Sequence, residues 1–357
     1  MKSKITLPEP DSSRIARRAV LVAGAASLTG LQSIGAHAAA PLGTSGVVFT
    51  ADEAGGSISA VALPSGRVRS VPLPIMPHNV QVTPDGRTVL VVGMGMAAGH
   101  GAGGAGGAGR LLILEASDIA RPPLGALRVG PHPAHVVTDA IGARAFVTDS
   151  LENAVLVVGL AEGKVERAIP VGSYPHGLRL SPDGKELFIA NMRGGDVSVV
   201  DVATLVEVAR IAVGKGPVQV GFTPDGTQVF VSLNGENKVA VVDRARRVVL
   251  GTVPVGRNPV QLQATPDGRF VYVANQGTTA SPDDTVSVID VARRAIVATI
   301  TSGRGAHGVT VSNDGQFVLI SNIVDSTVTA LDVATQTRVA TIKVGAGPNG
   351  ISFLARP

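Results

Sequence analysis

PHGLRLSPDGKELFIANMRGGDVSVVDVATLVEVARIAV, residues 175–213, contains four short β-type runs separated by turns. Leu178 and Leu180 alternate with Gly177 and Arg179, the period of a half-buried strand. Ser181-Pro182-Asp183-Gly184 then turns the chain, because Pro fixes φ at the second position and Gly accepts positive φ at the last. Leu187 to Ala190 is a short apolar strand, and Asn191 to Gly195 a loop. Val197 to Val200 is a third strand, closed by a turn at Asp201 whose side chain can bond local amides. Val206 to Val213 is the fourth.

The same turn recurs at Thr223-Pro224-Asp225-Gly226, Thr265-Pro266-Asp267-Gly268 and Ser312-Asn313-Asp314-Gly315, with successive Asp spacings of 42, 42 and 47 residues. An earlier copy, Thr83-Pro84-Asp85-Gly86, lies 98 residues before Asp183 and leaves room for one degenerate repeat. Four antiparallel strands in about 42 residues make one propeller blade. First strands of blades (strand A) begin at Pro77, Pro133, Pro175, Pro217, Pro259, Ala306 and Pro348. The last copy stops after strand A, whereas the segment from Val47 to Val71 supplies strands B, C and D without an A. Together these fragments complete a seventh blade and leave no free edge. The reading is an all-β, seven-bladed β-propeller over residues 39–357, with Ile351 and Phe353 paired to Val47-Val48-Phe49.

The Ser/Thr-Pro-Asp-Gly turns, Phe270-Val271-Tyr272-Val273-Ala274-Asn275, Val197-Ser198-Val199-Val200-Asp201 and Pro175-His176-Gly177 resemble the YVTN family of β-propeller repeats, across nearly all of residues 46–354. That family occurs in bacterial exported and surface-layer-like proteins. The resemblance implies the fold closely and the function loosely, since such propellers serve as scaffolds, binders and, less often, enzymes.

Residues 1–38 read as an export signal. Arg17-Arg18 precede a mildly apolar stretch, and Ala36-His37-Ala38 offers a small-x-small cleavage site. The long polar leader favours twin-arginine export over the general secretory route, and a periplasmic or secreted protein with no membrane segment after cleavage. Beyond residue 40 there are 26 Lys and Arg against 25 Asp and Glu, so the sequence pI of 9.7 belongs largely to the leader. A near-neutral chain with 3% aromatic residues lacks the basic, stacking surface of a nucleic-acid binder. The absence of cysteine excludes disulfides and thiolate metal sites. A monomer that needs no cofactor to fold is expected.

Strand alternation puts the D–A and B–C loops on one rim and the A–B and C–D turns on the other. The first rim carries the irregular sequence: a Gly/Ala-rich insertion at Gly93–Arg110 and a longer loop at Gln276–Asp284. Function is expected there. The formal G-x-G-x-x-G within Gly99–Gly106 has no helix after it and reads as loop. Aligned on the turns, the second residue of strand A is His78, Ala134, His176, Val218, Val260, His307 or Asn349, and the third is Asn79, His135, Gly177, Gln219, Gln261, Gly308 or Gly350.

Strand A is innermost, so His78, His135, His176 and His307 ring the mouth of the central channel. They are candidates to bind a small ligand, with His78, His176 and His307 as ligands for a transition metal or haem-type group. The structural alternative is that a His after Pro caps a strand end and bonds a neighbouring loop. Lys215, Arg257 and Arg304 in consecutive D–A loops, with Arg193 nearby, form a candidate anion-binding arc; solvated loop charge is the alternative. Arg244, Arg246, Arg247, Arg293 and Arg294 on the opposite rim read as a solubilising edge. Pro131-His132-Pro133-Ala134-His135 resembles a strand-A entrance of lactonase-like propellers, without an accompanying acidic set.

Three functions follow as expectations. The first is an exported, non-catalytic propeller that binds a small ligand or partner protein at the channel-mouth rim. The second is a metal- or cofactor-associated redox accessory protein that uses the histidines, and the third is a lactonase-like hydrolase.

Overall fold

The computed structural model describes residues 43–96 and 107–356. The expected export signal at 1–38 and the Gly/Ala segment 97–106, with its formal G-x-G-x-x-G, lie outside the described residues.

The described residues form seven four-stranded antiparallel sheets, each in chain order from the inside outward except the one that closes the ring. Blade 3 comprises Pro175–Leu180, Glu186–Asn191, Asp196–Asp201 and Val206–Ala212. In the closing blade Pro348–Ala355 is the inner strand, beside Gly46–Asp52, Ser57–Leu63 and Arg67–Pro72. Val48 pairs with Phe353 and Thr50 with Ile351, the closure expected from the split repeat.

The turns explain the repeat. In each Ser/Thr-x-Asp-Gly turn the first hydroxyl donates to the Asp carboxylate, as Ser181 does to Asp183 at 2.6 Å and Thr83 to Asp85 at 2.7 Å. The closing Gly sits at φ between 69° and 72°, where a Cβ is disfavoured. Gly142 shares that conformation at 69°, so the degenerate copy keeps the one position that geometry requires.

Seven hydrophobic clusters each lie chiefly between two neighbouring blades. One of them joins Phe49 and Ile58 of the closing blade to Val80, Val91 and Leu112 of blade 1, and another joins Ile351 and Val61 to Phe317 and Leu319 of blade 6. The core is thus a ring of interfaces, and the inner strands surround a channel.

The insertion is shorter than Gly93–Arg110. Its described flanks continue the hairpin, with Gly93 opposite Arg110, Met94 opposite Gly109 and Gly95 opposite Gly107. Glycine usually weakens strands, but a Cβ at Gly93 would run into the Met76 carbonyl. The rim arginines are also more than a solubilising edge. Arg244 of blade 4 reaches back to Glu186 at 2.8 Å and Asp183 at 2.9 Å on blade 3, and Arg247 to Glu186 at 3.0 Å. Arg294 repeats the motion one blade later, with Nε 3.3 Å from Gln228 Oε1. These contacts stitch neighbouring blades together.

Candidate functional site

Strand A carries an irregularity near its start in every blade. In blade 2 Pro133 pairs with Asp149 but the next pair is Val136–Val147, and blades 3 to 6 repeat this shift. The extra residue leaves backbone groups at the two histidine columns without ladder partners. Hydroxyls of strand B fill three of these gaps. Thr148 Oγ1 accepts from His135 N at 2.9 Å and donates to the His176 carbonyl at 2.7 Å. Ser232 and Ser321 make the equivalent bridges to Val260 O and Asn349 O. The bulge and its hydroxyl bridge thereby fix the backbone that carries the channel-mouth side chains.

His78, His135 and His176 converge: one ligand nitrogen from each lies within 4.8 Å of the others. His78 Nε2 and His176 Nε2 are 3.3 Å apart. His176 Nδ1 lies 3.2 Å from the Val218 carbonyl and donates to it, which leaves Nε2 as a lone pair. His78 Nδ1 sits 3.3 Å from both carboxylate oxygens of Glu53 and 3.2 Å from the Asn349 amide nitrogen. Donation to the carboxylate leaves its Nε2 as a lone pair, whereas accepting from the amide puts the hydrogen on Nε2. In the carboxylate-donating tautomer two lone pairs face each other, an arrangement that a proton or a metal ion between them relieves; in the other, His78 Nε2–H donates to His176 Nε2. His135 Nε2 is buried and has no hydrogen-bond partner, while its Nδ1 lies 3.4 Å from the Gln219 amide nitrogen.

Burial, then the charges of neighbouring histidines, pushes His135 well below the usual imidazole range and His176 down to about 3. His307 is held at about 4 by burial and by His78. All three are neutral at pH 7, the state that ligates metal. For Glu53, burial pushes the carboxyl up, but the hydrogen bond and charge of His78 with the Asn349 amide outweigh it and leave it at about 2.

The expected trio His78, His176 and His307 is only partly assembled. His135 takes the third place, and His307 turns its Nδ1 to the Asn349 carbonyl at 3.2 Å. Blades 1 and 3 are not neighbours, yet their long side chains meet across the narrow channel. His132 packs against Tyr174, with ring centroids 6.0 Å apart, and does not join the cluster.

Sequence reasoning missed Glu53. Pairing registers place it one residue past the strand-B position that faces the start of strand A, a column that otherwise reads Met94, Ser150, Met192, Asn234, Gln276 and Ile323. It is the only charge in that column, a signal visible once the closing blade is aligned with the rest.

Two cations of the candidate arc, Arg257 and Arg304, are paired with carboxylates. Backbone amides of Lys215, Arg257 and Arg304 each donate to a B–C loop carboxylate of the blade that follows, Glu236 at 2.7 Å, Asp283 at 3.1 Å and Asp325 at 2.8 Å. Arg257 Nε lies 3.5 Å from Asp283 and Arg304 Nε 2.8 Å from Asp325. Arg193 lies over the Tyr174 ring at 4.1 Å. A carboxylate thus caps each of these three D–A loops, and side-chain pairing accompanies it at Arg257 and Arg304.

A family model for the Cytochrome D1 heme domain matches residues 260–348, and one for the YNCE-like beta-propeller matches residues 186–281. The first includes His307 but none of the three converging histidines. The chain is similar in structure to a functionally unknown protein from Desulfotomaculum acetoxidans, with a TM-score of 0.73 and 16% identity over 88% of this chain and 100% of that one. It is also similar to Kuenenia stuttgartiensis hydrazine synthase, with a TM-score of 0.65 and 20% identity over 80% of this chain and 97% of that one. At these identities the likeness is one of fold. No curated protein matches the sequence.

Proposed function

We propose that this YVTN-type seven-bladed propeller is an exported metal-binding protein, which holds a transition-metal ion at its loop-rich channel mouth through His78, His135 and His176. The observation that carries the reading is the convergence of three imidazoles with orienting partners behind two of them. Metal-bound histidines characteristically donate their other ring nitrogen to a carbonyl or carboxylate, as His176 does to Val218 and His78 to Glu53. Nitrogens bound at ~2.05 Å in a tetrahedral site stand about 3.3 Å apart. That is the 3.3 Å separation of His78 and His176 Nε2. A neutral three-imidazole set with no thiolate suits Zn²⁺, Co²⁺ or Cu²⁺. The site resembles a binding or presenting site more than a hydrolytic one, because Glu53 is engaged by His78 and Asn349.

Titration calorimetry of chelator-stripped protein with Zn²⁺ and Co²⁺ tests this. We expect one ion per chain, loss of binding in His176→Ala and retention in His307→Ala. Wild-type protein without stoichiometric binding of any of these ions, or equal binding by His176→Ala, refutes it.

A haem-type group is the second reading, favoured by the Cytochrome D1 heme domain match over residues that include His307. Imidazoles within 4.8 Å of one another converge on a point, however, and do not frame a flat macrocycle. A Soret band on haemin titration that disappears in His307→Ala and persists in His176→Ala would favour haem over the simple ion.

A further inference from the structure

Toward the Pro-Asp-Gly rim the channel opens into a cavity of about 440 Å³. Its wall is the fifth residue of strand A from six blades: Gln81, Val137, Arg179, Gln263, Thr310 and Ser352. Arg179 is the one basic residue among those lining it. Its guanidinium makes a single hydrogen bond, to the Leu178 carbonyl at 2.9 Å, and no described carboxylate pairs with it. The one acid on the wall, Asp139, has its two oxygens turned to the Ala143 and Arg144 amides at 2.8 and 3.2 Å.

A half-buried charge without a counter-charge is unfavourable, and the fold does not need one here. Five other blades build the same position from neutral side chains, and blade 4 uses Gly221. Arg179 is half-buried in this wall, and burial pulls its guanidinium down to about 10, so it remains charged at neutral pH. The cavity also presents apolar side chains (Val137, Leu180 and Val311) beside the amides of Gln81 and Gln263.

The geometry points to a binding site for a small organic carboxylate in this cavity, with the carboxylate paired to the Arg179 guanidinium and a short apolar body against Val137, Leu180 and Val311. The planar fork of a guanidinium matches the two oxygens of a carboxylate, and an apolar wall discriminates against inorganic anions. This site lies on the opposite side of the channel from the loop-rich mouth and does not depend on metal at the histidines.

Calorimetric titration of metal-free protein at low ionic strength and pH 7 with butyrate tests it, alongside butyramide as the uncharged counterpart and inorganic phosphate. Saturable butyrate binding, at least tenfold weaker butyramide binding and a tenfold or greater loss of butyrate affinity in Arg179→Gln are expected, with Arg179→Lys in between. Arg179→Leu, which removes an unpaired charge, should melt no lower than wild type in anion-free buffer. Absence of saturable butyrate binding, equal binding by Arg179→Gln, or phosphate binding without carboxylate binding overturns the assignment. Unfolding of both Arg179→Gln and Arg179→Leu would make Arg179 structural and overturn it as well.

Discussion

Lowering the pH from 7 to 5 should destabilise the metal-free propeller by about 4 kcal/mol. His176 titrates at about 3 and His307 at about 4 in the folded chain, because both are buried and both feel His78. In the unfolded chain each titrates near ~6.5. Folded values below the unfolded ones mean that the unfolded state binds protons first, so stability falls as pH drops below about 6.5 and goes on falling until pH 3–4. At pH 5 the unfolded chain has bound almost both protons and the folded chain almost neither. One and a half pH units at ~1.36 kcal/mol each give about 2 kcal/mol per histidine. His135 is shifted in the same direction and adds to the loss. The carboxyls of Asp52 and Asp149, raised by burial, act with the opposite sign but only nearer the carboxylate range. For a domain of this size about 4 kcal/mol corresponds to roughly 6 °C in Tm. Denaturant titrations in chelator at pH 7, 6 and 5 measure the loss, and His307→Gln should remove about half of that due to the pair. A loss below about 1 kcal/mol, or an unchanged pH dependence in His307→Gln, would refute the reasoning.

Three further outcomes follow. Removing residues 348–357 should cost at least about 3 kcal/mol from the burial of Ile351 and Phe353 alone, and should promote aggregation; light scattering and thermal melts read both. Thr148→Val should cost about 1–3 kcal/mol, because His135 N and the His176 carbonyl both lose their bridge, and should weaken metal binding in the same calorimetric assay. Arg244→Ala should lower stability by about 1–2 kcal/mol in chemical denaturation, and much less in Arg244→Ala/Glu186→Gln than the sum of the two single changes.

The fold was legible because it is periodic. Asp183, Asp225 and Asp267 mark equivalent turns, and the incomplete copies at Pro348 and Val47 announce the closure. The histidine columns were legible for the same reason, since alignment on the turns places His78, His135 and His176 in two adjacent columns at one end of strand A. What periodicity conceals is contact across the ring. Glu53 reaches His78 from the closing blade, and His135 meets His176, ring centroids 4.7 Å apart, from the neighbouring column and beside a bulge that no residue type announces. The carboxylates that pair with Arg257 and Arg304 lie 26 and 21 residues away on a different loop, beyond the reach of a local reading. Arg244 likewise finds its partners about 60 residues earlier, on the preceding blade.

The closing blade also sets the order of events during folding. Its inner strand, Pro348–Ala355, pairs with Gly46–Asp52 some 300 residues away, whereas every other blade forms from contiguous chain. Blades 1 to 6 can assemble locally and quickly, as short-range contacts do. The last pairing is a long-range closure with a high entropic barrier, and until it occurs the apolar face of blade 6 that Ile351 later covers stays open to other chains. The interval between synthesis of the sixth blade and arrival of the final strand is therefore when this molecule is most exposed to misassembly, and a chaperone that shields one open end would act there.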